Sequence, residues 1–166
     1  MKERSVTHAT VVLERVYDAP PARVFAAWAD PAIKTRWFTG AVDPEAPAMR
    51  LDFRVGGTEQ SVSGGDGRPV IKYEGQYRDI VPGSRIVVAN WIDVDGTSIS
   101  VSQFTAEFHA EGGGTRLVVT EQGAYLDGHD TPDSRSLGIT AQLDALATEL
   151  AGTGPGRPPA HQRTGA

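Results

Sequence analysis

Glu121 is the residue whose chemistry is hardest to dismiss. In the run Thr115–Gln122 (TRLVVTEQ) it shares parity with Leu117 and Val119, and alternate residues of an extended chain face the same side. A carboxylate on an apolar face must reach a pocket mouth, find a cation or hydroxyl, or hold its proton to unusually high pH. Arg15 stands on the parity of Leu13 and Tyr17. An inward Arg15–Glu121 pair would fix a polar ligand group, and a purely structural ion pair accounts for the same residues equally well. Tyr73, Tyr77, Asn90 and Gln103 add hydroxyls and amides able to orient a carbonyl, although each also reads as a satisfied strand residue. If the chain is catalytic, Glu121 with a Tyr or Arg15 is the acid/base machinery on offer.

Other chemistries lack their parts. With no Cys among 166 residues there is no thiolate nucleophile, redox pair, Fe–S cluster or Cys-ligated zinc. His8, His109, His129 and His161 lie far apart, and the loop Asp127–Asp130 around His129 offers an adventitious metal contact without a spaced second His. No metal and no cofactor are expected. Gly65-Asp66-Gly67 is a hairpin tip rather than a phosphate cradle, since no helix opens after it, and no Ser stands in a nucleophile elbow. The net charge is −5, and more negative without the last fifteen residues, which carry Arg157 and Arg163 but no acid. Such a body is repelled by phosphate backbones, which excludes nucleic acid as a partner. No stretch approaches the ~20 apolar residues of a membrane span, and Met1-Lys2-Glu3-Arg4 opens no signal-peptide core. The expectation is a cytoplasmic chain without membrane insertion.

The elements that must position these residues follow from periodicity. Thr10–Tyr17 (TVVLERVY) reads as a strand with apolar side chains on both faces. Pro20 or Pro21 opens a short helix with Val24, Phe25 and Trp28 on one side, and Asp30-Pro31 caps a second with Ile33 and Trp37. After the loop Asp43–Pro47 the period falls to two. Strands are predicted at Met49–Val55, Thr58–Ser63, Val70–Val81, Ser84–Val94, Ser98–Ala110 and Thr115–Gln122, joined by Gly-rich and Pro-Gly turns. From Pro132, capped by Thr131 or Asp133, the residues Ile139, Leu143, Leu146, Ala147 and Leu150 form a helical stripe that Gly152 ends. Residues 1–7 are expected to be a flexible start, 8–151 one domain, and 152–166 a disordered Gly/Pro-rich tail. A seven-stranded antiparallel sheet with one apolar face needs a cover, and the last helix is the only element long enough. A curved sheet cannot touch a straight helix everywhere, so a cavity is expected between them.

Four segments in order carry a family resemblance. ERVYDAPPARVFAAWADPAIKTRWF (Glu14–Phe38), RVGGTEQ (Arg54–Gln60), YEGQYRDIVPGSRIV (Tyr73–Val87) and GGGTRLVVTEQG (Gly112–Gly123) resemble the motifs of the SRPBCC or START-like superfamily. The branch that the chain most resembles is the C-terminal domain of the activator of the 90-kilodalton heat-shock-protein ATPase. The resemblance covers roughly residues 8 to 150 and implies the α+β helix-grip fold, a curved sheet wrapped around the C-terminal helix with an internal cavity. One departure stands out. Where members carry Gly-Trp at the entry to the last helix, this chain has Ser136-Leu137-Gly138-Ile139, which implies a wider or differently shaped pocket.

In that fold the wall is expected from Trp28, Trp37 and Phe38 on the short helices and Ile139 and Leu143 on the last. Inward strand residues supply Tyr73, Tyr77, Phe104, Phe108, Val119 and Glu121. In Ser84–Val94 either Ile86, Val88, Asn90 and Ile92 or Val87, Ala89 and Trp91 face in, so Val88, Asn90 and Trp91 are all candidates. Arg15 and Glu121 are the polar anchors. The superfamily includes lipid and sterol carriers, polyketide cyclases and aromatases, and co-chaperone domains, so the fold alone does not choose among them. The leading expectation is binding or sequestration of a small hydrophobic or aromatic molecule. The second is a cyclase- or aromatase-type enzyme with an in-cavity acid/base residue, and the third a co-chaperone role through protein contact. The chain is expected as a monomer or homodimer.

Overall fold

The computed structural model describes residues 3–39 and 49–152. The predicted loop Asp43–Pro47 and nearly all of the predicted tail lie outside the described residues. The chain runs β1 (Val6–Tyr17), α1 (Pro21–Ala29), α2 (Pro31–Phe38), β2 (Arg50–Leu51), β3 (Thr58–Gly65), β4 (Arg68–Val81), β5 (Arg85–Val94), β6 (Thr97–Glu111), β7 (Gly114–Leu126) and α3 (Pro132–Ala151). All seven strands form one antiparallel sheet in the order β1-β7-β6-β5-β4-β3-β2. Strands β2 to β7 are a meander, and the two short helices carry the chain from β1 at one edge to β2 at the other.

Local chemistry sets the boundaries. Pro21 opens α1, where its missing N–H is no loss. Asp30 closes α1 and caps α2, its Oδ1 accepting from the Ile33 N–H at 3.0 Å, and Thr131 caps α3 by accepting from the Ser134 N–H at 3.1 Å. Along α3 the residues Ile139, Leu143, Leu146 and Leu150 are buried. They meet Val11 and Tyr17 of β1, Trp37 of α2, and Leu117 and Val119 of β7 in one apolar core. The Tyr17 hydroxyl donates to the Leu143 carbonyl at 2.9 Å, and Gln142 Nε2 donates to the Phe38 carbonyl at 2.9 Å, tying α3 to β1 and α2. Fully burying one such Leu is worth about 1.5–3 kcal/mol, so the four-residue stripe dominates the docking of α3.

Three expectations are corrected. β1 starts at Val6, so Val6 and Thr7 of the expected flexible start pair with Leu126 and Tyr125. Its Val12 and Val16 face solvent, because the outer side of the sheet carries no covering element among the described residues. The predicted strand Met49–Val55 shrinks to Arg50–Leu51, since Asp52–Gly57 folds into a turn: Arg54 N bonds to the Asp52 carbonyl and Gly57 N to that of Arg54, both short-range. That turn then docks on β4 through Gly56 N to the Tyr77 carbonyl and Tyr77 N to the Gly57 carbonyl. Ala147 lies off the buried stripe of α3 and is exposed.

Candidate functional site

Between the concave side of the sheet and the helices lies a cavity of about 290 Å³. Its apolar wall comes from Trp28 of α1, Phe38 of α2, Ile71 of β4, Val88 and Ile92 of β5, Phe104 of β6 and Ile139 of α3. Its polar wall consists of Lys34, Thr39, Glu59, Ser61, Ser63, Tyr73, Asn90, Glu121, Arg135 and Gln142, with Gly138 at the helix side.

Two buried ionic clusters stand in that wall. In the first, Lys34 Nζ lies 2.6 Å from Glu59 Oε2, and both side chains are almost wholly buried. The Tyr73 hydroxyl donates to Glu59 Oε1 at 2.5 Å, and the Tyr77 hydroxyl donates to Oε2. The ammonium also sits 5.0 Å from the Phe38 ring centroid and 5.4 Å from that of Trp28, within cation–π range. Burial pushes the Glu59 carboxyl upward, but the Lys34 charge and the three hydrogen bonds outweigh it and hold the group below the usual carboxylate range. Burial and the adjacent Glu59 charge push both Tyr73 and Tyr77 well above the ordinary phenol value. These hydroxyls are fixed donors, not acids.

The second cluster joins α3 to β6 and β7. Arg135 Nη1 donates to Glu121 Oε1 at 2.5 Å, while Nη2 donates to Ser100 Oγ at 2.6 Å and Asp130 Oδ2 at 2.8 Å. The guanidinium carbon lies 5.4 Å from the Tyr125 ring centroid. Burial raises the Glu121 carboxyl above its ordinary value despite the Arg135 charge and hydrogen bond. Arg135 stays charged, because Glu121 and Asp130 outweigh its own burial. Trp28 Nε1 and Asn90 Oδ1, on two residues of the cavity wall, are buried without a hydrogen-bond partner.

Of the residues expected at the site, Trp28, Phe38, Tyr73, Val88, Asn90, Phe104, Glu121 and Ile139 come together around the cavity. Trp37, Tyr77, Phe108, Val119 and Leu143 are buried in the layer behind it, Trp37 donating its Nε1–H to the Ala27 carbonyl at 2.9 Å. Trp91 and Gln103 lie on the outer face. The inward row of β5 is Ile86, Val88, Asn90 and Ile92, and Trp91 instead donates its Nε1–H to Glu74 Oε2 at 3.0 Å. Arg15 is also corrected as the partner of Glu121. It faces Leu117 in the register while Glu121 faces Val11, and its guanidinium lies 3.8 Å from Asp144. The partner of Glu121 is Arg135, which the sequence analysis missed together with Lys34 and Glu59. Arg135 occupies the helical stripe one turn before Ile139, and Lys34 stands three and four residues before Trp37 and Phe38, a spacing that was there to be read.

A curved antiparallel sheet gripping one long C-terminal helix across a partly polar cavity defines a helix-grip protein. Residues 18–151 match the family described as "Activator of Hsp90 ATPase homolog 1-like protein", and the chain belongs to that family. No curated protein sequence matches it. Among solved structures it is similar to an uncharacterised protein of Rhizobium leguminosarum, with 42% identity over 90% of this chain and 98% of that one and a TM-score of 0.85. It is also similar to the protein Mll3558 of Rhizobium loti, with 42% identity over 87% and 99% and a TM-score of 0.80. The AHSA1-like protein of Aeromonas hydrophila shares the fold at 21% identity over 86% and 92%, with a TM-score of 0.67.

Proposed function

We propose that this protein binds or sequesters a small hydrophobic or aromatic molecule in the cavity between the sheet and α3. The observation that carries the reading is the concave space itself: a pocket of about 290 Å³ between the sheet and the helices, walled by aromatic and aliphatic side chains with a set of polar groups among them, the form that small-molecule sites take. The cyclase-type alternative requires a group free to exchange a proton with a ligand. Glu59 is held by Lys34 and two tyrosines, and Glu121 by Arg135, so each ionisable carboxyl of the wall is already committed and binding is the better-supported reading.

The test is native mass spectrometry of the purified protein, followed by thermal-shift screening against aromatic polyketides, fatty acids and sterols. A retained small molecule, or a compound class that raises the melting temperature, is expected. A protein that carries nothing and responds to none of these classes overturns the reading.

A further inference from the structure

Resting on the ligand-binding reading above, we propose that the cavity selects compact, neutral molecules bearing a hydroxyl or carbonyl, and rejects carboxylates and amines. Its charge inventory carries the argument. The wall holds two cations, Lys34 and Arg135, and two carboxylates, Glu59 and Glu121, with the Asp130 carboxylate bonded to Arg135 from behind. Neither cation is available. Lys34 is spent on Glu59, and Arg135 is divided among Glu121, Asp130 and Ser100.

An anionic ligand group would have to draw one of these cations away. Doing so strands Glu59 or Glu121, each at most 5% exposed, as an uncompensated buried charge, the arrangement most costly in a protein interior. Left without a cation, the ligand's own charge is the stranded one, beside three carboxylates. A ligand ammonium meets the converse problem. The Glu59 carboxylate already accepts from Lys34, Tyr73 and Tyr77, and Glu121 and Asp130 already share a guanidinium. An added cation would be desolvated next to Lys34 or Arg135.

A neutral polar group escapes both penalties. Asn90 and Gln142 carry neutral amides in the wall, able to exchange hydrogen bonds with a carbonyl or a hydroxyl without separating an ion pair. Ser61 and Ser63 add hydroxyls along β3. A cavity of about 290 Å³ sits at the lower end of the size range of small-molecule sites, which suits a fused-ring body better than a long acyl chain.

The test uses one ring system with three substituents. Calorimetric titration of the full chain at pH 7 compares 2-naphthol, 2-naphthoate and 2-naphthylmethylammonium, and 2-naphthol is expected to bind at least about tenfold more tightly than either ion. Equal or tighter binding of the naphthoate or the ammonium overturns the inference while leaving the binding reading intact, and failure of all three to bind counts against both. Asn90→Leu, close in volume to the original, is expected to weaken 2-naphthol at least about threefold without altering the weak binding of the ions. An unchanged 2-naphthol affinity in that variant overturns the part assigned to the Asn90 amide.

Discussion

Lys34 and Glu59 illustrate why a buried ion pair is read from its partners and not from its sequence position. The pair is closed on every side, by Tyr73 and Tyr77 on the carboxylate and by the Trp28 and Phe38 rings on the ammonium. Removing one partner leaves an uncompensated charge. Lys34→Met is therefore expected to destabilise the fold by about 3–5 kcal/mol. Lys34→Met with Glu59→Gln should recover most of that loss, because the double variant strands no charge. Urea unfolding of the two variants and the wild type checks this, and a double variant no more stable than the single one would refute it. These residues were hidden in the sequence for a physical reason. β3 turns Glu59, Ser61 and Ser63 inward and leaves Val62 exposed, the reverse of the polarity that marks a core face, because its inner side borders a cavity and an ammonium rather than packed hydrocarbon. Glu121 was legible because its neighbours Leu117 and Val119 obey the ordinary rule. Its partner was misassigned to Arg15, since parity says which face a residue takes but not its height along the strand.

At the level of elements, strand count, helix placement and order were readable because their signals are local: a change of period, Pro at helix starts, Gly in turns. What escaped depends on tertiary contact. The turn Asp52–Gly57 replaces strand because it docks on Tyr77 of β4, and both parities of β5 are apolar enough that only its neighbours decide which faces in. Two glycines separate the local from the tertiary. Gly138, inside α3, has open space where a Cβ would stand, so Gly138→Ala should remove the helical cost of glycine and raise stability by about 0.5–1 kcal/mol. Gly75, in β4, has none. A Cβ there would meet Val88 Cγ1 at 2.7 Å, the Tyr73 hydroxyl at 3.0 Å and Glu59 Cγ at 3.2 Å. Gly75→Ala is expected to cost about 1–3 kcal/mol through overpacking. Thermal unfolding of both variants tests the pair, and shifts of the same sign would contradict it. Gly75 is thus what lets β4 pass close to the Glu59 cluster, a role no turn or strand propensity announces.

For the molecule as a whole, the two clusters tie opposite sides of the sheet to the helices, the first through α2 and the second through α3, and they respond to pH with opposite signs. The folded state holds Glu59 below its ordinary value. Its contribution is therefore present above the unfolded carboxylate pKa of about 4.3 and is lost as pH falls through the lower folded value. Glu121 is held above its ordinary value. Between the unfolded and the raised folded pKa the native state binds more protons than the unfolded chain, so stability from this group is complete below about pH 4.3 and is lost as pH rises through the folded value. An acidic chain with net charge −5 also has many exposed carboxylates, whose common titration would obscure either effect in a single curve. Differences between wild type and variant cancel that background. Measured by urea unfolding from pH 3.5 to 7, the stability of wild type minus that of Glu59→Gln is expected to grow with pH, and wild type minus Glu121→Gln to shrink. Slopes of the same sign would mean that burial and pairing are balanced alike in the two clusters, contrary to the three hydrogen bonds that converge on Glu59 and the single guanidinium that Glu121 shares with Asp130.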